Sequence, residues 1–335
     1  MIVLLFPGQG TQKVGMLSSF LAAFRSCQEV LEEIENSVSF KISKIIEEGP
    51  IEELTKTNNA QLAIFTTSVL CLNIFTKEYG FNIYDTCKFV AGHSLGEYTA
   101  LYASGTLSLQ DATKLVYARG NIMANAFKNT ANQFSMVAIL GLSSEDIKQH
   151  LKNFKSGTNI CVIGNDNSNT QVVLSGYKES VDKVVNLLKN KYDNVRAIQL
   201  NTSGPFHSPI MTPAIIELEK FLYSSDIKFN KFKIPLISNV YAFPFDNTEQ
   251  IQSELIRQMI STVRWRESME VVMNDNEIDT VIELAPGKVL TSMLKRDYPN
   301  ANVFNLETVD SIEKFIKYNQ DNPTKTFKKF KNLYE

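Results

Sequence analysis

The chain has 335 residues, 44% of them hydrophobic and 21% charged, which suits one large folded unit or two and excludes a disordered or fibrous protein. Thirty-four Lys and Arg against thirty-six Asp and Glu leave a net charge of −2, so no basic excess points to nucleic acid. The four cysteines lie far apart with no C-x-x-C pair, which argues against a metal site or a disulfide framework and predicts a reducing, cytoplasmic setting.

The apolar run 2–6 has no basic residues before it and is stopped by Pro7-Gly8-Gln9-Gly10, so it reads as a buried first strand rather than a signal segment. Helical patterns follow at 28–37 and 61–79. The stretch 60–75 is interrupted by Gln61, Thr66, Thr67, Ser68 and Asn73, which falls short of the ~20 apolar residues of a membrane span. It reads as a core helix, and no membrane association is expected. A strand at 89–91 precedes a helix at 111–127, which Ser108 caps with acidic Asp111 three residues on. Next come a strand at 136–140, a helix at 143–154, strands at 160–163 and 171–175, a helix at 178–191 and a strand at 195–200. That β-α-β-β-α-β order is ferredoxin-like. Turn-prone stretches bound it, so 131–199 is read as a small subdomain inserted into a large one built from 1–130 and 200–318. A cleft between the two is the natural place for a site. The rest alternates again: helix 212–223, strand 235–240, helix 249–260, strand 280–284 and strand 301–304. The fold class is therefore α/β with a mainly parallel sheet. The tail 319–335, with Lys325, Lys328, Lys329 and Lys331, reads as a solvated terminus.

Gly92-His93-Ser94-Leu95-Gly96 matches G-x-S-x-G between a strand and a helix, the context in which that pattern presents a nucleophilic serine. The amide of Leu95 then stands where an oxyanion develops; the plain alternative is a serine that only caps its helix. A serine needs a base, and the chain has three histidines. His93 adjoins Ser94 and diverges from it, so it should pack or bond to backbone. His150 lies on a charged helix face and should be solvated. His207, in the rigid loop Gly204-Pro205-Phe206-His207-Ser208-Pro209, is left as the base. No acid stands in a distinctive motif, so a Ser–His dyad is expected rather than a triad. Arg119 falls on the apolar stripe 112, 115, 116, 119, 122, 123, 126 of its helix and must find an anion, either inside the protein or on a substrate. Phe6-Pro7-Gly8-Gln9-Gly10 fails as a dinucleotide fingerprint because Lys13 stands where the third glycine belongs. A tight turn that sets Gln9 beside Ser94 as a second oxyanion donor is the better use, although spacing alone does not establish it.

With Arg119-Gly120, Asn167-Ser168, Arg257-Gln258, Val263-Arg264-Trp265 and Pro286-Gly287-Lys288 added to these motifs, the chain resembles the malonyl-CoA:acyl carrier protein transacylases and polyketide acyltransferases from Phe6 to about Tyr318. The resemblance implies a hydrolase-like α/β core with a ferredoxin-like insertion. It makes Ser94 the nucleophile, His207 its base and the carbonyl of Gln258 the group that orients His207. The amides of Gln9 and Leu95 form the oxyanion hole, Arg119 grips the malonyl carboxylate, and Gln61 and Asn167 join the substrate-binding residues. Phe206 fills the space of an α-methyl group, a discrimination of ~1–3 kcal/mol. The implied partners are malonyl-CoA and a phosphopantetheinylated acyl carrier protein, with no cofactor, acting on a monomer. The rival is an acyl hydrolase or thioesterase using the same Ser–His pair, which has no need of Arg119. Leu62, Thr262 and Ala285 depart from the family pattern and bear on loop shape only. Fatty acid and polyketide pathways look alike at this level.

Overall fold

The computed structural model describes residues 1–130 and 133–321. Its strands are β1 (Ile2–Phe6), β2 (Cys87–Gly92), β3 (Phe134–Leu140), β4 (Lys155–Ser156), β5 (Asn159–Ser168), β6 (Gln171–Tyr177), β7 (Arg196–Gln199), β8 (Leu236–Ile237), β9 (Pro244–Phe245), β10 (Thr280–Leu284) and β11 (Val303–Leu306). They form two sheets, ordered β11-β10-β1-β2-β8-β9 and β4-β5-β6-β3-β7.

The larger sheet is parallel except for its β8–β9 edge. β1 is buried on both faces, which explains its unbroken apolar run. Ile2, Leu4 and Phe6 face one core with the Thr57–Asn73 and Leu95–Ala103 helices, while Val3 and Leu5 face a second with Trp265, Met269 and Leu290. Thr57–Asn73 continues as a π-helical turn to Glu78. This segment is long and apolar enough to cross a membrane, but 94% of its apolar window is buried inside the protein.

β1 and β2 end level, Phe6 opposite Gly92, so the loops after both strands emerge together at the carboxyl edge of the sheet. In open parallel sheets that edge is where ligands bind. Two glycines let the loops meet. A Cβ on Gly96 would stand 2.0 Å from the Phe6 carbonyl oxygen, and one on Gly8 2.6 Å from that of His93.

The second sheet is antiparallel. Without the short β4 it runs β5-β6-β3-β7, second, third, first and fourth strand of the βαββαβ unit, around its own core. The expected helix at 143–154 is shorter, Ser144–Lys148 and then a 3-10 turn, Gln149–Leu151, because the chain turns early to pair β4 with β5. The strand expected at 235–240 ends at Ile237. Ser238 Oγ accepts from the amides of Val240 (3.1 Å) and Tyr241 (3.2 Å), a local turn that competes with the sheet. The strand expected at 301–304 sits two residues later, in register with β10 as Val281 opposite Val303.

The sheets are stitched together at β5. Val263 donates to the Gly164 carbonyl and Asp166 to that of Val263, both at 2.9 Å. Thr262 Oγ1 donates to the Ile163 carbonyl at 2.7 Å, and Arg266 pairs with Asp166 at 3.1 Å. Thr262, a departure from the family pattern, thus makes a contact that proline cannot.

Candidate active site

The carboxyl edge of the larger sheet meets β5 and β6 around a cavity of ≈ 360 Å³, with Gln9, Ser94, Arg119, Phe206 and His207 among its walls. Ser94 sits at the tip of the β2 turn with φ 52° and ψ −102°. Such a backbone is strained for an L-residue and persists only where its surroundings hold it. Its Oγ lies 2.8 Å from His207 Nε2. His207 Nδ1 lies 3.0 Å from the carbonyl oxygen of Gln258, and a carbonyl can only accept, so Nδ1 carries the proton and Nε2 is free to accept from the serine. Burial first, then the Arg119 charge, holds the imidazole down at about 3 from its ordinary 6.5.

Arg119 is buried, and its partners are uncharged oxygens. Nη1 donates to Gln61 Oε1 at 2.7 Å; Nη2 donates to Gln258 Oε1 and Ser94 Oγ, both at 3.1 Å. The Tyr98 ring lies 4.9 Å beneath the guanidinium. Nε has no partner among the described residues. Of the two anions the sequence allowed, an internal one is not found: no described carboxylate pairs with Arg119.

Gln9 and Leu95 both border the cavity beside Ser94, and Gln9 Nε2 donates to Thr57 Oγ1 at 3.4 Å. Phe206 packs into the wall, and its carbonyl accepts from Ser175 Oγ at 2.7 Å. Asn167 reaches the cavity while bonded at 2.8 Å to His93 Nε2. His93 packs as expected, meeting the Trp265 ring edge-on at 5.5 Å, and bonds in addition to a side chain. His150 lies away from the site, partly exposed to solvent as expected, with Nε2 3.3 Å from the Tyr192 hydroxyl. The tail lysines lie outside the described residues.

Asn239 was missed. Its Oδ1 accepts from the Ser94 amide at 2.8 Å and its Nδ2 donates to the Gly92 carbonyl at 2.7 Å, bracing the turn from outside the motif. The one signal in the sequence is the polar pair Ser238-Asn239 directly after an apolar strand.

The acyl transferase domain family matches residues 3–334, beyond the point near Tyr318 where the quoted motifs end. The malonyl CoA-acyl carrier protein transacylase of Bacillus subtilis is 38% identical over 324 residues, 96% of this chain and 99% of that protein. The acyl-carrier-protein S-malonyltransferase of Bartonella henselae superposes with a TM-score of 0.88 at 36% identity, covering 95% of this chain and 98% of the other. A malonyl transacylase solved with its type II polyketide synthase acyl carrier protein superposes with a TM-score of 0.87 at 31% identity, covering 95% and 99%.

Proposed function

The chain belongs to the acyl transferase domain family, and from that premise we propose that it carries malonyl groups from malonyl-CoA to an acyl carrier protein through a malonyl-serine intermediate. It is an acyltransferase, as its relatives are. The observation that carries the reading is one chain of contacts, from the Gln258 carbonyl through His207 to Ser94 Oγ and on to Arg119. That arrangement joins an activated nucleophile to a fixed positive charge.

In the first half-reaction Ser94 Oγ attacks the thioester carbon while His207 Nε2 takes its proton. The Gln9 and Leu95 amides receive the oxyanion, each worth ~2.7–4 kcal/mol in sites of this kind. The C–S bond breaks, CoA leaves with the imidazolium proton, and the malonyl ester stays with its carboxylate on Arg119. In the second half the phosphopantetheine thiol gives its proton to His207 and attacks the ester. Ser94 Oγ leaves and regains the proton. Gln61 holds Arg119 in place, Asn167 lines the acyl pocket, and Phe206 takes the room an α-methyl group would need. Exchanging one thioester for another requires neither metal nor redox cofactor. The relatives are named for, or solved with, an acyl carrier protein, and we extend that acceptor to this chain. In the same reading residues 131–199 are an inserted lobe on a catalytic unit of 1–130 and 200–318, and the protein is a cytoplasmic monomer.

Ser94→Ala should abolish labelling of the protein by radioactive malonyl-CoA; persistent label would remove Ser94 as the nucleophile. Measuring CoA release with and without carrier protein separates transfer from the hydrolase reading, which predicts fast release without acceptor. A screen of fatty acid and polyketide carriers assigns the pathway.

A further inference from the structure

Glu97 ends the motif that begins at Gly92, yet the transfer steps give it no task, and it is wholly buried. It stands in the first turn of the Leu95–Ala103 helix, directly behind Ser94. Its Oε1 accepts from the main-chain amide of Asn239 at 3.2 Å, and its Oε2 accepts from Gln258 Nε2. Those two residues in turn hold both main-chain polar groups of Ser94. Asn239 Oδ1 accepts from the serine amide at 2.8 Å, and Gln258 Nε2 donates to the serine carbonyl at 2.9 Å. We propose that Glu97 is a positioning residue for acyl transfer: its single carboxyl group fixes Asn239 and Gln258, and through them the angle at which Ser94 presents Oγ to His207 and Arg119. The proposal rests on Ser94 being the nucleophile.

The orientation of the Gln258 amide follows from the same contact. Glu97 Oε2 takes the Nε2 end, so Oε1 is left facing Arg119 Nη2 at 3.1 Å. One carboxyl group therefore reaches the nucleophile by two routes and the guanidinium by a third. A bare carboxylate in this place would be costly. Glu254 is buried beside Glu97, and Ser238 Oγ donates to its Oε1 at 2.5 Å. Burial lifts both carboxyls, Glu97 further through the charge of Glu254.

Glu97→Gln keeps the shape and removes one acceptor. Whichever way its amide turns, either the Asn239 amide or Gln258 Nε2 meets a donor, and turning Gln258 around to escape points its Nε2 at Arg119. The test compares wild type and Glu97→Gln in two assays: the rate at which diisopropyl fluorophosphate modifies Ser94, and kcat and KM for malonyl transfer, with folding followed by circular dichroism. A folded Glu97→Gln protein should lose about 10²-fold in both the modification rate and kcat, the scale of an ångström's misplacement. KM should move far less, because Gln61 still holds Arg119. Wild-type modification rates in the folded variant overturn the proposal. If Glu97→Gln does not fold, Asn239→Ala breaks the same chain one link nearer the serine, and an undiminished modification rate there overturns it equally. The probe carries no malonyl group, so a wild-type protein that is modified at Ser94 but transfers no malonyl counts against the proposed function and leaves the positioning test standing.

Discussion

In the proposed function Arg119 is the residue that separates transfer from hydrolysis. Among the described residues its hydrogen-bond partners are uncharged oxygens, and in that reading an incoming carboxylate improves on them. Charge-assisted hydrogen bonds are worth about 1.5–3 kcal/mol each, so Arg119→Ala should cost malonyl transfer about 10²-fold while acetyl transfer changes little. Equal losses in a two-substrate assay would assign Arg119 to the fold instead. His207 adds a pH signature. With its imidazole held at about 3, the base is already free at pH 5, so modification of Ser94 by the neutral fluorophosphate should stay flat from pH 8 to 5 instead of falling near 6.5. Ser94 and His207 were legible in the sequence because a strand–turn–helix motif and a count of three histidines leave few choices. Arg119 was legible because one charge breaks an apolar stripe of period 3.6. Asn239 was not, because its role exists only once the chain turns at Ser238 and brings it under residue 94.

Elements with a strong local rhythm were readable to the residue: β1, β10 and the Lys178–Lys191 helix have the bounds their patterns predict. The helices Trp265–Met273 and Val289–Asp297 are nine residues each and open without a side-chain cap, so the sequence carries little to mark them. Yet Leu290 and Met293 of the second line the cavity. The joint between the sheets is another tertiary fact. Only the fold shows that residues 262–266 lie along β5. Thr262→Val keeps the shape and removes the hydroxyl that donates to Ile163, leaving that carbonyl one donor short. It should cost about 0.5–1.5 kcal/mol in urea unfolding with malonyl transfer preserved, and an unchanged midpoint would show the joint to be held by its main-chain bonds alone.

At the scale of the whole molecule, alternation of strand and helix was enough for an α/β class, whereas the neighbours β10 and β8 on either side of the β1–β2 pair are set by packing that no local pattern encodes. Buried acids shape its stability. Glu283, which accepts from the Leu290 amide at 3.1 Å and the Thr291 amide at 2.8 Å, is raised by burial to about 7, as is Glu254, and Glu97 is raised with them. Unfolded, these groups lose their protons near 4.5, so between pH 6.5 and 8.5 the folded state gives up protons the unfolded chain has already lost, and stability falls as pH rises. His207 and His93, both depressed by burial, act the other way below 6.5, where the unfolded chain takes up protons the folded one refuses. The urea midpoint should therefore decline above pH 6.5, and a flat profile there would contradict the raised acids. The cysteines offer a way to watch this happen. Cys27, Cys71 and Cys87 lie in the main core of the larger sheet and Cys161 in that of the smaller, each at most 5% exposed, and burial pushes all four thiols up. A thiol reagent can reach them only when the surrounding structure opens. The protein thus carries its own pair of clocks, one thiol timing the smaller sheet and three the larger, with no label introduced.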